Sequence, residues 1–254
     1  MTRLHRTLLA RIDKAVYEYR MFQDGDGVLF AVSGGIDSMA LVDLLADHLV
    51  VYGENMRAAA VYVDLGFGEH AEERCRKMSG FFASRRVEGE IVRTEIGPYA
   101  HSDENRENPC FLCSRIRRRH IFEAAERLGC QKIVFGHHKD DIIETLLLNM
   151  IYSREISTMP PRLEVFQGKY TILRPMMYIE KELVEKFARE RGLEPIDQEC
   201  PTAGNSKRQY IKELLAALEA DVPNAKENIF AAMKRVKTDY LLAPAASLSK
   251  EFSR

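Results

Sequence analysis

Apolar residues are arranged along the chain in two alternating patterns, short continuous runs and stripes with helical spacing. An apolar side chain recurs at every fourth position of residues 4–22, which predicts an amphipathic helix. Five apolar residues in succession at 28–32 predict a buried strand. Further strands are predicted at 57–64, 90–96 and 131–136, and helices at 39–48, 69–86, 113–129 and 140–152.

Strands that alternate with helices predict an α/β fold with a doubly wound parallel sheet. A polar segment with two prolines, 97–109, predicts a loop, and a short hairpin-like stretch is predicted between Pro160 and Pro175. The remaining pattern predicts helices at 180–191, 206–220 and 223–240. We therefore expect an N-terminal helix in 1–24, a central domain in 25–200 and a helical segment in 201–254.

The residues that follow the first strand carry the strongest chemical signal. Ser33, Gly34, Gly35, Ile36, Asp37 and Ser38 lie between that strand and an apolar helix. Two glycines leave room for backbone N–H groups to surround a phosphate, and the helix directs its positive end to the same place. Both serines add hydroxyl donors, and Asp37 could hold Mg²⁺ against the phosphate. The alternative is a plain strand-turn-helix rich in small residues.

This loop has neither the Walker lysine nor the G-x-G-x-x-G pattern of dinucleotide sites. It resembles the SGGxDS loop of the ATP pyrophosphatase (PP-loop) superfamily. The resemblance implies an adenine nucleotide alpha hydrolase-like fold that binds ATP and Mg²⁺, cleaves ATP between the α and β phosphates and adenylates a substrate oxygen.

Composition narrows the class of protein further. The chain has 254 residues, of which 46% are hydrophobic and 30% charged, enough for a full core with a well-solvated surface. No run of eighteen apolar residues occurs and the N-terminus is charged throughout, so we expect a cytoplasmic protein that does not cross a membrane. The net charge is −1, so any positive surface for RNA must be local.

Five cysteines in a cytoplasmic chain favour metal or redox chemistry over disulfides. Cys110 and Cys113 form a C-x-x-C pair, and Cys200 follows much later. Three interpretations remain open: a redox dithiol, a structural zinc site completed by His101 or His120, or an iron–sulfur cluster with three cysteine ligands. Cys75 and Cys130 fit packed thiols better.

The segment Cys110-Phe-Leu-Cys113-Ser-Arg-Ile-Arg-Arg resembles the C-x-L-C-[SR]-R-x-R-R segment of the TtcA-type tRNA 2-thiocytidine synthetases. A second string, Gly136-His-His-Lys-Asp-Asp, resembles that family's GHH-x-DD, and the resemblance extends from about residue 4 to residue 240. It implies a [4Fe–4S] cluster on Cys110, Cys113 and Cys200. It also implies tRNA as substrate, with sulfide or a persulfide carrier as sulfur donor, and we expect a homodimer.

The chain departs from this family at two places. The phosphate loop of the family usually carries Lys between Gly and Asp, where this chain has Ile36. The family commonly shows a second C-x-x-C near the later cysteine, where this chain has Cys200 alone.

Charged residues suggest further members of the site. His137, Asp140 and Asp141 lie where a strand gives way to a helix, which suits ATP phosphates and Mg²⁺, although either aspartate could merely cap the helix. We expect Asp37, Asp140 and Asp141 to be catalytic, with Mg²⁺ on Asp37 and Asp141. Asp64 ends the second strand and is expected near the nucleotide, unless it only closes a turn.

Arginines supply the local positive charge that RNA would need. Arg115, Arg118 and Arg119 share one face of a predicted helix, and Arg208 falls in a further segment of the family resemblance. We expect these four to contact RNA, whereas a solvated face paired with acidic residues is the alternative.

The main hypothesis is ATP-dependent, iron–sulfur-dependent tRNA thiolation. A pyrimidine carbonyl oxygen attacks the α-phosphate of ATP, pyrophosphate leaves, and sulfur then displaces AMP. Rival hypotheses are a PP-loop enzyme that acts on another substrate, such as a lysidine-type ligase, and a non-catalytic nucleotide or iron–sulfur binding protein.

Overall fold

The computed structural model describes residues 1–202, 204 and 207–242. The chain divides into two compact units, Met1–Ile211 and a second unit that begins at Lys212. The predicted segment 201–254 lies partly outside the described residues, and the predicted boundaries at 24 and 200 stay predictions.

The described part of the first unit contains one six-stranded sheet in the order β3-β2-β1-β4-β6-β5. Neighbouring strands are parallel except for the edge pair β5 and β6, which is antiparallel. The strands are β1 (Gly27–Val32), β2 (Arg57–Asp64), β3 (Glu88–Arg93), β4 (Lys132–Phe135), β5 (Arg162–Val165) and β6 (Tyr170–Leu173). The predicted doubly wound α/β class is confirmed.

Helices connect the strands and continue to the end of the described chain. They are α1 (Arg3–Tyr19), α2 (Ile36–Leu45), α3 (Ala71–Ser84), α4 (Ile96–Ala100), α5 (Pro109–Arg127), α6 (Lys139–Leu148), α7 (Lys181–Arg191), α8 (Lys207–Asp221) and α9 (Ala225–Ala232). A π-helical turn, Asn149–Ser153, extends α6, and short 3₁₀ helices occur at Leu49–Val51, Pro175–Tyr178 and Thr238–Tyr240. None of the described helices is long and apolar enough to cross a membrane.

The central strands of the sheet are buried and also define where a ligand can bind. Every residue of β1 is buried, which accounts for the continuous apolar run in the sequence. The chain leaves β1 towards β2 on one side and reaches β4 on the other. Such a switch point opens a crevice at the carboxyl ends of the two strands, where ligands of doubly wound sheets bind.

Several elements differ from their predicted bounds. The last predicted helix, 223–240, is much shorter, since α9 spans Ala225–Ala232. β3 spans 88–93 rather than 90–96, because this edge strand is only partly buried and its apolar signal is short. A short helix, α4, lies at the start of the predicted loop 97–109. Helix α5 begins at Pro109 because the Asn108 side chain accepts a bond from the Phe111 N–H and caps the helix, with proline in its first turn.

The turn after β4 packs directly on the turn after β1. A Cβ atom added at Gly136 would lie 2.9 Å from the carbonyl oxygen of Asp37 and 2.9 Å from Cα of Ser38. Because backbone atoms cannot yield as a flexible side chain can, only glycine allows this approach.

We predict that Gly136→Ala lowers the free energy of unfolding by about 1–3 kcal/mol, since the added methyl group must displace one turn or the other. Gly80→Ala is the matched control, because a Cβ atom at this position of α3 meets nothing within 4 Å. That variant should stabilise the protein by about 0.5–1 kcal/mol through helix propensity. Urea unfolding measures both, and equal effects of the two substitutions would contradict the close packing.

Candidate active site

The serine hydroxyls of the turn after β1 fix its conformation through hydrogen bonds to its own backbone. The Ser33 N–H donates to Ser38 Oγ at 3.1 Å, and the Gly35 N–H donates to Ser33 Oγ at 3.3 Å. Ser38 Oγ in turn donates to the carbonyl oxygen of Gly35 at 2.8 Å. These bonds fix the loop across the start of α2, where the first backbone N–H groups lack intrahelical partners and favour an anion.

Gly34 has two reasons to be glycine. Its φ angle of +90° lies in the region that other residues rarely adopt, and an added Cβ would lie 2.7 Å from the Ile196 carbonyl oxygen. The Ile196 N–H also donates to the Gly34 carbonyl oxygen at 2.9 Å. The phosphate loop is therefore joined to the segment that follows α7.

An open pocket of about 180 Å³ lies over this loop. The loop, the turn after β4 and helix α5 all contribute to its walls. The polar side chains among its lining residues are Ser33, Asp37, Ser38, Arg117, His137 and Asp141.

His137 stands in this pocket as a neutral ring. It stacks on Phe135 with 5.5 Å between ring centroids, and burial, aided by the charge of Arg174, lowers its pKa to about 4. Its Nδ1 atom is buried and has no hydrogen-bond partner among the described residues. A buried nitrogen without a partner in a pocket wall fits a bond to a ligand or an ordered water.

Arg117 was not predicted as a site residue, although the sequence contains the signal. It lies one helical turn after Cys113 and one before Ile121, so it shares the buried face of α5 rather than the face of Arg115, Arg118 and Arg119. Burial lowers the pKa of its guanidinium, and no hydrogen bond or ion pair of Arg117 occurs among the described residues. A cation without a counter-charge in the pocket wall fits an anionic ligand.

Asp37 is the carboxylate of the loop. It is half-buried at the pocket wall, and Lys181 Nζ lies 2.8 Å from its Oδ1 and 2.7 Å from its Oδ2. His138 Nε2 lies 3.9 Å from Asp37 Oδ2 and 3.3 Å from Asp141 Oδ2. The two predicted Mg²⁺ ligands, Asp37 and Asp141, thus flank one imidazole.

Asp140 and Asp141 have different surroundings. Asp141 lines the pocket, accepts a bond from the His138 N–H at 3.0 Å and pairs with Arg208 Nη1 at 3.0 Å. Asp140 is not among the pocket-lining residues, and its Oδ2 accepts a bond from the Lys181 N–H at 2.8 Å. The capping alternative therefore holds for Asp141 at the start of α6, whereas Asp140 bonds to the start of α7.

Asp64 is occupied by a structural ion pair rather than turned to the pocket. Only 1% of the residue is exposed. Its oxygens accept bonds from Arg74 Nε at 2.9 Å, Arg74 Nη2 at 3.2 Å and the Gly66 N–H at 2.9 Å. The contacts support the turn-closing alternative, because no free face of the carboxylate is left for a nucleotide.

The three cysteines of the predicted cluster come together near Thr202. Its Oγ1 atom lies 3.7 Å from Cys110 Sγ and 3.4 Å from Cys200 Sγ. The pKa of Cys113 is raised by burial and by repulsion from Cys200 and Cys110, as expected for neighbouring thiols. Cys110 is exposed and the other two are half-buried, so the group opens to the surface.

The two histidines offered as zinc ligands differ in their surroundings. His101 Nε2 contacts the same Thr202 Oγ1 atom as the thiols, at 3.3 Å, whereas His120 Nδ1 pairs with Glu123 at 3.0 Å. In the described part of the chain, no three His, Cys, Asp or Glu side chains are close enough to hold a metal ion. The described residues therefore form no closed zinc site. Cys75 and Cys130 are buried, as predicted.

The basic face of α5 is partly neutralised. Arg115 makes two bonds to Glu107, at 2.8 and 2.9 Å, and Arg119 Nε donates to Glu123 at 2.8 Å. Arg118 is exposed and has no such partner among the described residues. Arg208 bonds to Asp141, Glu144 and Thr145 instead of facing solvent alone. For Arg115 and Arg119, two of the four predicted RNA contacts, these bonds support the alternative of a solvated face paired with acidic residues.

The sheet and the loop define a PP-loop protein, and the sequence profile of the PP-loop domain family matches residues 4–218. Curated relatives narrow the class. A tRNA-cytidine(32) 2-sulfurtransferase from Actinobacillus pleuropneumoniae is 32% identical over 96% of this chain and 76% of its own length. One from Saccharophagus degradans is 34% identical over 94% and 77%. The chain belongs to the tRNA-cytidine(32) 2-sulfurtransferase family of PP-loop proteins.

A solved structure agrees at the level of the fold. The U34-tRNA thiolase NcsA from Methanococcus maripaludis, solved with its [4Fe–4S] cluster, superposes with a TM-score of 0.73. It is 20% identical and the match covers 94% of this chain and 81% of NcsA. The predicted family and enzyme class are confirmed: the chain is an ATP-dependent sulfurtransferase of the PP-loop superfamily.

We predict that Arg74→Met lowers the free energy of unfolding by about 3–5 kcal/mol, because it leaves the Asp64 carboxylate buried without its ion-pair partner. Asp64→Asn should lower it by less, because Arg74 keeps its 3.4 Å contact with Glu199. The double variant should recover much of the loss, since neither charge remains. Chemical denaturation measures all three, and ATP affinity of the double variant should stay within a few-fold of wild type. If a stable double variant lost ATP binding, Asp64 would belong to the nucleotide site, as the sequence predicted.

Proposed function

We propose that this chain thiolates a cytidine of the tRNA anticodon loop at its 2-position, after activating the base with ATP. One observation carries the proposal: helix α5 supplies both Cys110 and Cys113, at its first turn, and Arg117, in the wall of the phosphate pocket. Seven residues of helix span about 10 Å, so thiols and pocket lie within reach of one base. Family membership supports the same conclusion.

ATP fits the phosphate loop through backbone groups rather than through a loop lysine. The N–H groups at the start of α2 and the hydroxyls of Ser33 and Ser38 face the phosphates. Arg117 adds a half-buried positive charge, and His137 adds a neutral hydrogen-bonding nitrogen. Asp37 and Asp141 would hold Mg²⁺, which needs only one or two carboxylates when phosphates and water complete its shell.

The chemistry takes two steps. The cytidine O2 atom attacks the α-phosphorus of ATP, the bond to the β-phosphate breaks, and pyrophosphate leaves. A sulfur nucleophile then adds at C2 and AMP leaves with the original oxygen. Positive charge and N–H groups fixed around the α-phosphate stabilise the charge that develops in the first step.

A [4Fe–4S] cluster fits the three thiols near Thr202. They gather at one open site, and their mutual repulsion favours a positively charged partner. When bound, the cluster supplies an iron without a protein thiolate, at which a sulfide can be held. Cys110, Cys113 and Cys200 would be its ligands.

RNA would reach the site across α5. The exposed Arg118 is the arginine best placed for a phosphate contact, with Arg115, Arg119 and Arg208 available only by exchange of their present acidic partners. The target base must leave its stack to reach the pocket. The proposal includes sulfide or a persulfide carrier as donor, a homodimer as the working form and the cytoplasm as its compartment.

Product analysis tests the reaction. Protein prepared without oxygen, with ATP, Mg²⁺, sulfide and unmodified tRNA, should yield AMP, pyrophosphate and 2-thiocytidine by nucleoside mass spectrometry. Arg117→Met should lower the rate by about tenfold or more, as loss of a charge-assisted bond predicts, whereas Lys77→Met on exposed α3 should not. ADP as main product would contradict the mechanism. AMP without a thiolated nucleoside would favour another PP-loop substrate, and ATP binding without turnover a binding protein.

The cluster assignment has a separate test. Ala substitution of Cys110, Cys113 or Cys200 should abolish iron, acid-labile sulfide and the visible absorbance after anaerobic reconstitution. Cys75→Ala and Cys130→Ala serve as controls and should retain all three, because these thiols are buried elsewhere. Stoichiometric zinc with no iron in the wild-type protein would overturn the assignment.

A further inference from the structure

A lysine that the phosphate loop does not supply lies beside it. Lys181 is the first residue of α7, and its Nζ atom lies within hydrogen-bond distance of both Asp37 oxygens, at 2.8 and 2.7 Å. Both side chains are partly exposed, 31% for Lys181 and 28% for Asp37. The ammonium group is therefore next to the pocket and accessible to a ligand in it.

Helix stability does not account for a lysine at this position. The start of a helix is the positive end of its dipole, where a cation is unfavourable. The other groups around the start of α7 are firmly held: the Lys181 N–H is bonded to Asp140 Oδ2, and the Glu180 carboxylate pairs with Arg11 and with Lys139 Nζ at 3.2 Å. The backbone that carries Lys181 is thus fixed, and its side chain is directed to Asp37.

The loop itself lacks a comparable charge. Position 36, where similar loops have lysine, is Ile36, and no lysine is among the residues that line the described pocket. Arg208 is committed to Asp141 and Glu144, which leaves Arg117 on the opposite wall. A triphosphate needs positive charge near the loop as well, because its own charge exceeds what one Mg²⁺ and one arginine offset.

We propose that Lys181 is the phosphate-binding lysine of this active site, carried by α7 in place of the loop. Before ATP binds, Asp37 holds the ammonium group at the loop. When ATP binds, a phosphate oxygen replaces the carboxylate as partner of Lys181 and leaves Asp37 free for Mg²⁺. This inference rests on the proposed function, since it concerns the same ATP site.

Moving the lysine back into the loop gives a decisive test. Ile36 is half-buried at the loop, so a lysine there can extend towards the pocket. Equilibrium dialysis with labelled ATP and Mg²⁺ should show about ten- to a hundredfold weaker binding by Lys181→Met, the range expected for a charge-assisted hydrogen bond. The double variant Ile36→Lys/Lys181→Met should recover most of that loss. Lys186→Met, exposed on the same helix, should bind ATP like wild type.

Thermal unfolding of each variant separates binding from folding. A structural ion pair alone would predict that Lys181→Met lowers the melting temperature and that lysine at position 36 does not restore ATP binding. Wild-type-like ATP affinity of Lys181→Met, or failure of the double variant to recover while Ile36→Lys alone binds ATP, would overturn the inference. If the wild-type protein binds no ATP, the proposed function fails with it. Binding without thiolation would leave the lysine assignment standing.

Discussion

The structure depends on the contact between two turns at the carboxyl ends of β1 and β4. The backbone at Gly136 approaches the Asp37 and Ser38 backbone so closely that a methyl group cannot fit between them. This contact fixes the distance between the phosphate loop and the side chains that follow Gly136. His137, His138 and Asp141 are consequently held against the loop by the packing of these two turns, and Asp141 also by its bonds to the His138 N–H and to Arg208.

Charge is arranged in two ways around this contact. Asp64 and Arg74 form a buried pair in which each group satisfies the other, and such a pair serves the fold. Near the pocket the pairs are partly exposed, and Arg117 has none among the described residues. The difference in exposure separates charges that maintain structure from charges that can exchange one partner for another.

Much of this organisation can be predicted from the sequence, and the failures have physical causes. The buried strand β1 and the serine-glycine turn could be predicted because both depend only on neighbouring residues in the sequence. The role of Asp64 could not be predicted, because its partner Arg74 lies ten residues away on helix α3. Helical spacing places Arg115, Arg118 and Arg119 on one face of α5. It does not show which face packs over the sheet, and the partial burial of Arg117 depends on that packing. Lys181 lies 144 residues from Asp37, and only the folded chain brings them together.

The bond between the Ile196 N–H and the Gly34 carbonyl oxygen joins the phosphate loop to the segment that leads to Cys200. Three residues separate Ile196 from Cys200, and the side chain of one of them, Gln198, is bonded to the Leu65 N–H at 3.1 Å and to Tyr62 Oη at 2.8 Å. The segment that ends at Cys200 is thus hydrogen-bonded both to the phosphate loop and to the end of β2. The position of the third thiol is therefore set by the same hydrogen bonds that join this segment to the phosphate loop and to β2.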